Sequence, residues 1–222
     1  MKFLLPLITG LFFMAQASAQ ELSPDQLVQK ITNDVLAAVK SDKQLAAGDK
    51  EKALKLAEEK VLPYVDFEYA TRLAVGRPWR QATPEQKKEL VTQFRNMLVR
   101  TYSNSISAYQ GQTLKVLPSR GKENSADEAT VRTQFIRPGG QPLGIDFAMH
   151  KAGSDWKVYD ITVEGVSLVL TYRSEFDAVV KQEGIDGLIK RLAEKNIPAA
   201  GIGGTASAGA ARTPGAPKAG TK

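Results

Sequence analysis

Asp146, His150, Asp160 and Glu164 are the side chains available to move protons in the strand-forming region between Leu143 and Val166. A carboxylate or imidazole inside an apolar pocket can serve as a general acid or base, as in isomerase and dehydratase chemistry. The spacing argues against that use here. Asp160 is expected mid-strand on the face opposite Tyr159, in a structural role or a surface ion pair. Glu164 precedes Gly165 at a strand-to-helix turn, where a carboxylate commonly accepts backbone N–H groups near the following helix N-terminus. His150, the sole histidine, lies between Met149 and Lys151 at a strand end and should be exposed. The sequence carries no metal-ligand cluster, no serine flanked as G-x-S-x-G and no glycine-rich phosphate loop; Gly139-Gly140 reads as a hairpin turn. The expectation is a protein that is not an enzyme, with no catalytic residue, metal or cofactor.

The elements that position these residues follow from periodicity. Trp156 to Val163 reads as a strand that turns at Glu164-Gly165 directly into a helix. Both faces of this strand carry bulk: Trp156 and Val158 on one, Tyr159, Ile161 and Val163 on the other. A strand with one wet face would alternate more cleanly, so apolar matter is expected on both sides. Three more strands precede it, over Thr113 to Leu117, Ala129 to Ile136 and Leu143 to His150, and the turns between them make an antiparallel meander.

Helices flank the meander. Ser23-Pro24 caps a first helix with an apolar face of Leu27, Ile31, Val35 and Val39. A second runs from about Asp49 to Leu62, with Leu54, Ala57, Val61 and Leu62 inward, and a third from Asp66 to Val75. Thr83 and Gln86 form a capping box that opens the longest helix, expected to reach Tyr109. Two helices close the body, Ser167 to about Gln182 and, after Gly184, Ile185 to Lys195. Helices, then a meander, then helices give an α+β fold: a twisted antiparallel sheet of about four strands with helices packed on one face.

Targeting and composition bound the setting. Residues 1–19 have the form of a secretory signal peptide, with Lys2, an apolar run from Phe3 to Ala15 and Ala17-Ser18-Ala19 at the cleavage site. With no cysteine there is neither a disulfide framework nor a lipoprotein anchor. The mature protein is expected in the periplasm. Residues 198–222 are rich in Ala, Gly, Pro and Lys and should form a disordered tail. That leaves 20–197 as a single domain. The formal charge is +6, but Lys2, Arg212, Lys218 and Lys222 lie in the leader and the tail, leaving the body at +2. A nucleic-acid partner is not expected from so small a basic excess.

Taken in order, several motifs resemble one family. They are Val61-Leu62-Pro63, Asp66-Phe67, Trp79, Thr83-Pro84-Glu85-Gln86, the series Phe94, Leu98, Tyr102 and Tyr109, then Trp156 to Asp160, Glu164-Gly165-Val166-Ser167, Tyr172-Arg173-Ser174 and Gly184 to Leu188. Over roughly Ser23 to Lys195 the chain is similar to the MlaC family, also called the toluene-tolerance auxiliary family; the long tail is outside that pattern. The resemblance implies an NTF2-like cone enclosing an apolar cavity, and a soluble periplasmic carrier. Such a carrier binds a glycerophospholipid by its acyl chains and shuttles it between outer and inner membrane complexes, maintaining outer-membrane lipid asymmetry. Its implied partners are an inner-membrane ABC transporter with an MCE-domain subunit and an outer-membrane lipoprotein held by a porin.

In such a cavity the long-helix residues Phe94, Leu98 and Tyr102 would face the sheet. The sheet would contribute Val131, Phe135, Ile145 and Phe147, together with either the Trp156/Val158 face or the Tyr159, Ile161 and Val163 face. The latter is preferred because Tyr159 can place its hydroxyl at a cavity mouth. Leu168, Val169 and Tyr172 would close one end, and Arg77, Arg80 and Arg173 would lie near the head group. The same residues could instead fill an ordinary core, which would make the protein an interaction or adaptor module; an NTF2-like enzyme is the other alternative.

Overall fold

The computed structural model describes residues 22–102, 112–118 and 125–196. The expected leader and tail, and the end of the long helix up to Tyr109, lie outside the described residues.

Each early helix starts where a short polar side chain can satisfy free backbone N–H groups. Helix α1 (Pro24–Ser41) opens on a reciprocal box between Ser23 and Gln26. Asp42 caps α2 (Lys43–Ala46), a single turn that the sequence pattern does not announce. Asp49 caps α3 (Lys50–Lys60), and Asp66 caps α4 (Phe67–Val75). Helix α3 turns Ala53, Leu56 and Ala57 inward rather than Leu54, which is exposed. After a short 3-10 turn at Arg77–Arg80, the expected Thr83–Gln86 box opens α5 (Pro84–Tyr102).

The sheet is the expected meander, with a short fifth strand added. Strands β1 (Thr113–Val116), β2 (Glu128–Ile136), β3 (Leu143–Ala152), β4 (Asp155–Val163) and β5 (Val166–Ser167) pair antiparallel in sequence order. Helix α6 (Leu168–Asn196) follows without a linker, broken at Gly184, where φ is 73° and ψ −175°. The two closing helices of the sequence pattern are therefore two segments joined at one glycine.

Register settles the two-faced strand. Phe147 pairs with Ile161 and Ala148 with Asp160, but Met149 pairs with Val158, so Tyr159 is one extra residue in β4. Residues directly opposite each other in an antiparallel pair share a face. The bulge thus brings Trp156, Val158, Ile161 and Val163 onto one face, and the two alternatives drawn from strict alternation merge. Tyr159 turns to the other side, where its ring meets those of Tyr69 and His150. Asp160 lies on that side too, with Ala148, and not opposite Tyr159.

Two large buried clusters result. One joins Leu27 and Val28 of α1 to Ala129, Val131, Met149, Trp156 and Val158 of the sheet. The other is helical throughout: Ala74 and Trp79 beside α5's Leu90, Phe94 and Met97 and α6's Val169, Phe176, Leu188 and Leu192. None of the described helices is long and apolar enough to cross a membrane.

Candidate functional site

The apolar face of the sheet is fully buried at one end and only partly covered at the other. Ala129, Val131, Met149, Trp156 and Val158 are buried, under α1. Along the same face, Phe135 opposes Leu143, and Ile145 opposes both Thr133 and Val163. Phe135, Leu143, Ile145, Phe147, Ile161 and Val163 are only half-buried. Nothing polar interrupts this part of the face except Thr133, which is buried and donates to the Ile145 carbonyl at 2.6 Å. A half-covered apolar sheet face of this kind is a place for apolar matter to sit.

Six of the expected cavity residues therefore share one surface: Val131, Phe135, Ile145, Phe147, Ile161 and Val163. The others lie elsewhere. Phe94 is fully buried, with its ring 5.3 Å from that of Tyr172 and 5.2 Å from that of Phe176. Leu98, Val169 and Tyr172 join the same helical cluster, so the long-helix stripe faces α4 and α6 rather than the sheet. Tyr102 is exposed at the end of that stripe, near Tyr172, whose phenol is pushed above its ordinary range chiefly by burial and then by the Tyr102 phenol. Leu168 is half-buried at the start of α6. Tyr159 sits on the opposite side of the sheet, its phenol raised chiefly by burial and then by the charge of Glu128.

The proton-moving candidates are engaged in holding the fold together. Asp160 Oδ1 accepts from the Ile161 and Val169 backbone N–H groups, and Oδ2 from the Ser167 hydroxyl, so this carboxylate pins the start of α6 to β4. Glu164, at φ 48°, folds back across the sheet and accepts from the Gly144 N–H, not from the following helix. His150 is not exposed: its side chain retains 15% of its accessible surface, and Nε2 lies 2.9 Å from Asp66 Oδ2. The other oxygen of Asp66 caps α4 at the Tyr69 N–H. One carboxylate thus ties α4 to the sheet, and Tyr69, whose ring lies 4.4 Å from that of His150, completes the joint. Asp146 faces Arg132 and Thr162 in register. Among the described residues no group of three His, Cys, Asp or Glu side chains could hold a metal ion.

The three arginines expected near a head group do converge. Arg77, Arg80 and Arg173 line one depression of about 950 Å³, joined by Arg72, Lys87 and Trp79. Its lining contains no strand residue. Sequence spacing did not mark Arg72 and Lys87 as members, because they stand on α4 and α5 and meet only through the packing of the helices. Tyr69 was missed for the same reason.

A twisted antiparallel sheet with one apolar face half uncovered, buttressed by a separate helical cluster, defines an α+β binding scaffold. Comparison with known proteins gives the particular kind. Residues 29–194 match the family model described as MlaC protein. The chain belongs to the MlaC family. It is 22% identical over 192 residues to the intermembrane phospholipid transport system binding protein MlaC of Haemophilus influenzae, covering 85% of this chain and 89% of that one. It is 23% identical over 165 residues to the toluene tolerance protein ttg2D of Pseudomonas putida, covering 74% and 76%. Among solved structures, the phospholipid-binding protein from Ralstonia solanacearum, determined with a phospholipid, matches with a TM-score of 0.72 at 34% identity, over 79% of this chain and 97% of the other. Two of these relatives are named for phospholipid binding or transport, one for toluene tolerance and none for a reaction.

Proposed function

We propose that this protein is a soluble periplasmic carrier that holds a glycerophospholipid by its acyl chains and shuttles it between outer and inner membrane complexes. The observation that carries the reading is the half-covered apolar sheet face from Phe135 to Val163, in a chain 34% identical to a protein solved with a phospholipid. Acyl chains would lie along Phe135, Ile145, Phe147, Ile161 and Val163, with Val131 at the closed end. The head group would stay in water, because burying a phosphate requires several charge-assisted hydrogen bonds.

Hydrocarbon burial is worth about 0.8 kcal/mol per CH₂, on the order of 24 kcal/mol for two chains of about 15 carbons. Free lipid in water is then negligible, and a carrier must offer a seat about as good as the bilayer. Release follows when a partner binds the emptied form better. The expected partners are an inner-membrane ABC transporter with an MCE-domain subunit and an outer-membrane lipoprotein–porin complex, and the expected outcome is outer-membrane lipid asymmetry.

Native mass spectrometry of the mature protein, purified from a periplasm without detergent, tests the reading, with organic extraction of whatever is bound. A mass excess of one phospholipid, mixed in head group, is the expected result. A clean apo mass that persists after incubation with vesicles would overturn it in favour of an adaptor with a filled core.

A further inference from the structure

The cationic depression on the helical cluster asks for a partner of its own. Five cations line it (Arg72, Arg77, Arg80, Lys87 and Arg173) and no carboxylate does. None of the five is in an ion pair among the described residues. The adjoining hollow, which shares Arg77 and Arg173, includes Asp177, but that carboxylate is paired with Lys181 at 2.6 Å.

Three of the cations have defined seats. The Arg72 guanidinium lies 4.4 Å from the Tyr69 ring centroid, and the Lys87 ammonium 5.8 Å from that of Trp79. Arg173 lies against Gly76, where an added Cβ would come within 3.2 Å of Nε; at φ 68° that position also favours glycine. Holding like charges together without counter-charge is unfavourable, and an anionic partner relieves it.

The shape selects among anions. The depression is concave, so a flat bilayer would meet its rim and not its floor. Trp79 in its lining is only 8% exposed, and none of the exposed large apolar residues (Leu22, Leu54, Tyr102, Val166, Leu170) lines it. A membrane-seated surface needs such an anchor. Several guanidinium forks spread around one concavity instead match several carboxylates, each able to accept two N–H bonds. We infer that this cup docks a protruding acidic segment, rich in Asp or Glu, of a protein partner. The inference does not depend on what the sheet face holds.

The test uses a fluorescein-labelled glutamate-rich peptide, titrated onto the full mature chain and followed by anisotropy. Two variants with the same change in net charge are compared: R77E/R173E in the cup and K55E/K60E on the exposed side of α3. Wild type should bind in a salt-sensitive manner, R77E/R173E should bind about tenfold more weakly, and K55E/K60E should stay within about twofold of wild type. Thermal melts should be the same for all three proteins.

Equal weakening by both variants would reduce the effect to net charge and overturn the inference. So would failure of the peptide to bind while phosphatidylglycerol vesicles co-sediment with wild type and not with R77E/R173E, which would assign the cup to a lipid surface. Displacement of the peptide by inorganic phosphate at low concentration would assign it to a single phosphate. Loss of extracted phospholipid from R77E/R173E alone would assign it to the cargo's head group.

Discussion

The helical cluster and the sheet solve opposite packing problems. In the first, Phe94, Phe176, Leu188 and Leu192 are each at most 1% exposed, with three aromatic rings in mutual contact. In the second, an equally apolar surface from Phe135 to Val163 is only partly buried. A filled core stabilises a fold, and an unfilled face leaves room for a ligand. The difference teaches that the number of apolar residues does not tell a core from a candidate seat; how far they are covered does.

Substitutions on the two sides should separate stability from binding. The largest expected effect is Phe94→Ala, which empties a close-packed site and should cost about 3–5 kcal/mol in urea unfolding, while folded molecules keep their lipid. Ile145→Asp places a carboxylate where methylene groups would lie, so extracted phospholipid per folded molecule should fall by about two orders of magnitude. Its unfolding midpoint should move less than that of Phe94→Ala; equal losses of stability would erase the distinction between the two regions. Gly184→Ala should cost about 1–3 kcal/mol, since φ 73° with ψ −175° is essentially a glycine conformation, and should leave lipid content unchanged. The smallest effect is at the joint between the regions. Asp66→Ala removes the α4 cap and the partner of His150, at a cost of about 1 kcal/mol, read as a fall in Tm of about 2–4 °C.

Much of the fold is legible in local pattern. The Ser23-Pro24 cap, the Thr83/Gln86 box, the stop at Gly76 and the period-two runs place most elements within a residue or two. What pattern could not give was which surfaces meet. The stripe of Phe94, Leu98 and Tyr102 fits a sheet as well as it fits another helix, and only the chain's path brings α6 against it. His150 reads as an exposed strand end because its partner Asp66 is 84 residues away. Strict alternation split Trp156 and Val158 from Ile161 and Val163, since a one-residue bulge leaves no signature in polarity. The sheet residues expected to line a cavity do share one face, whereas the helical ones lie in a separate cluster.

That bulge has a consequence for shape. Deleting Tyr159 would leave Trp156, Val158, Ile161 and Val163 on the same face and the ladder to β3 in the same register. What would go is the local bend that an extra residue forces into a strand. A sheet without it would carry the same side chains in the same order with less local twist, so the extra residue separates the bend of this strand from the chemistry of the surface it carries.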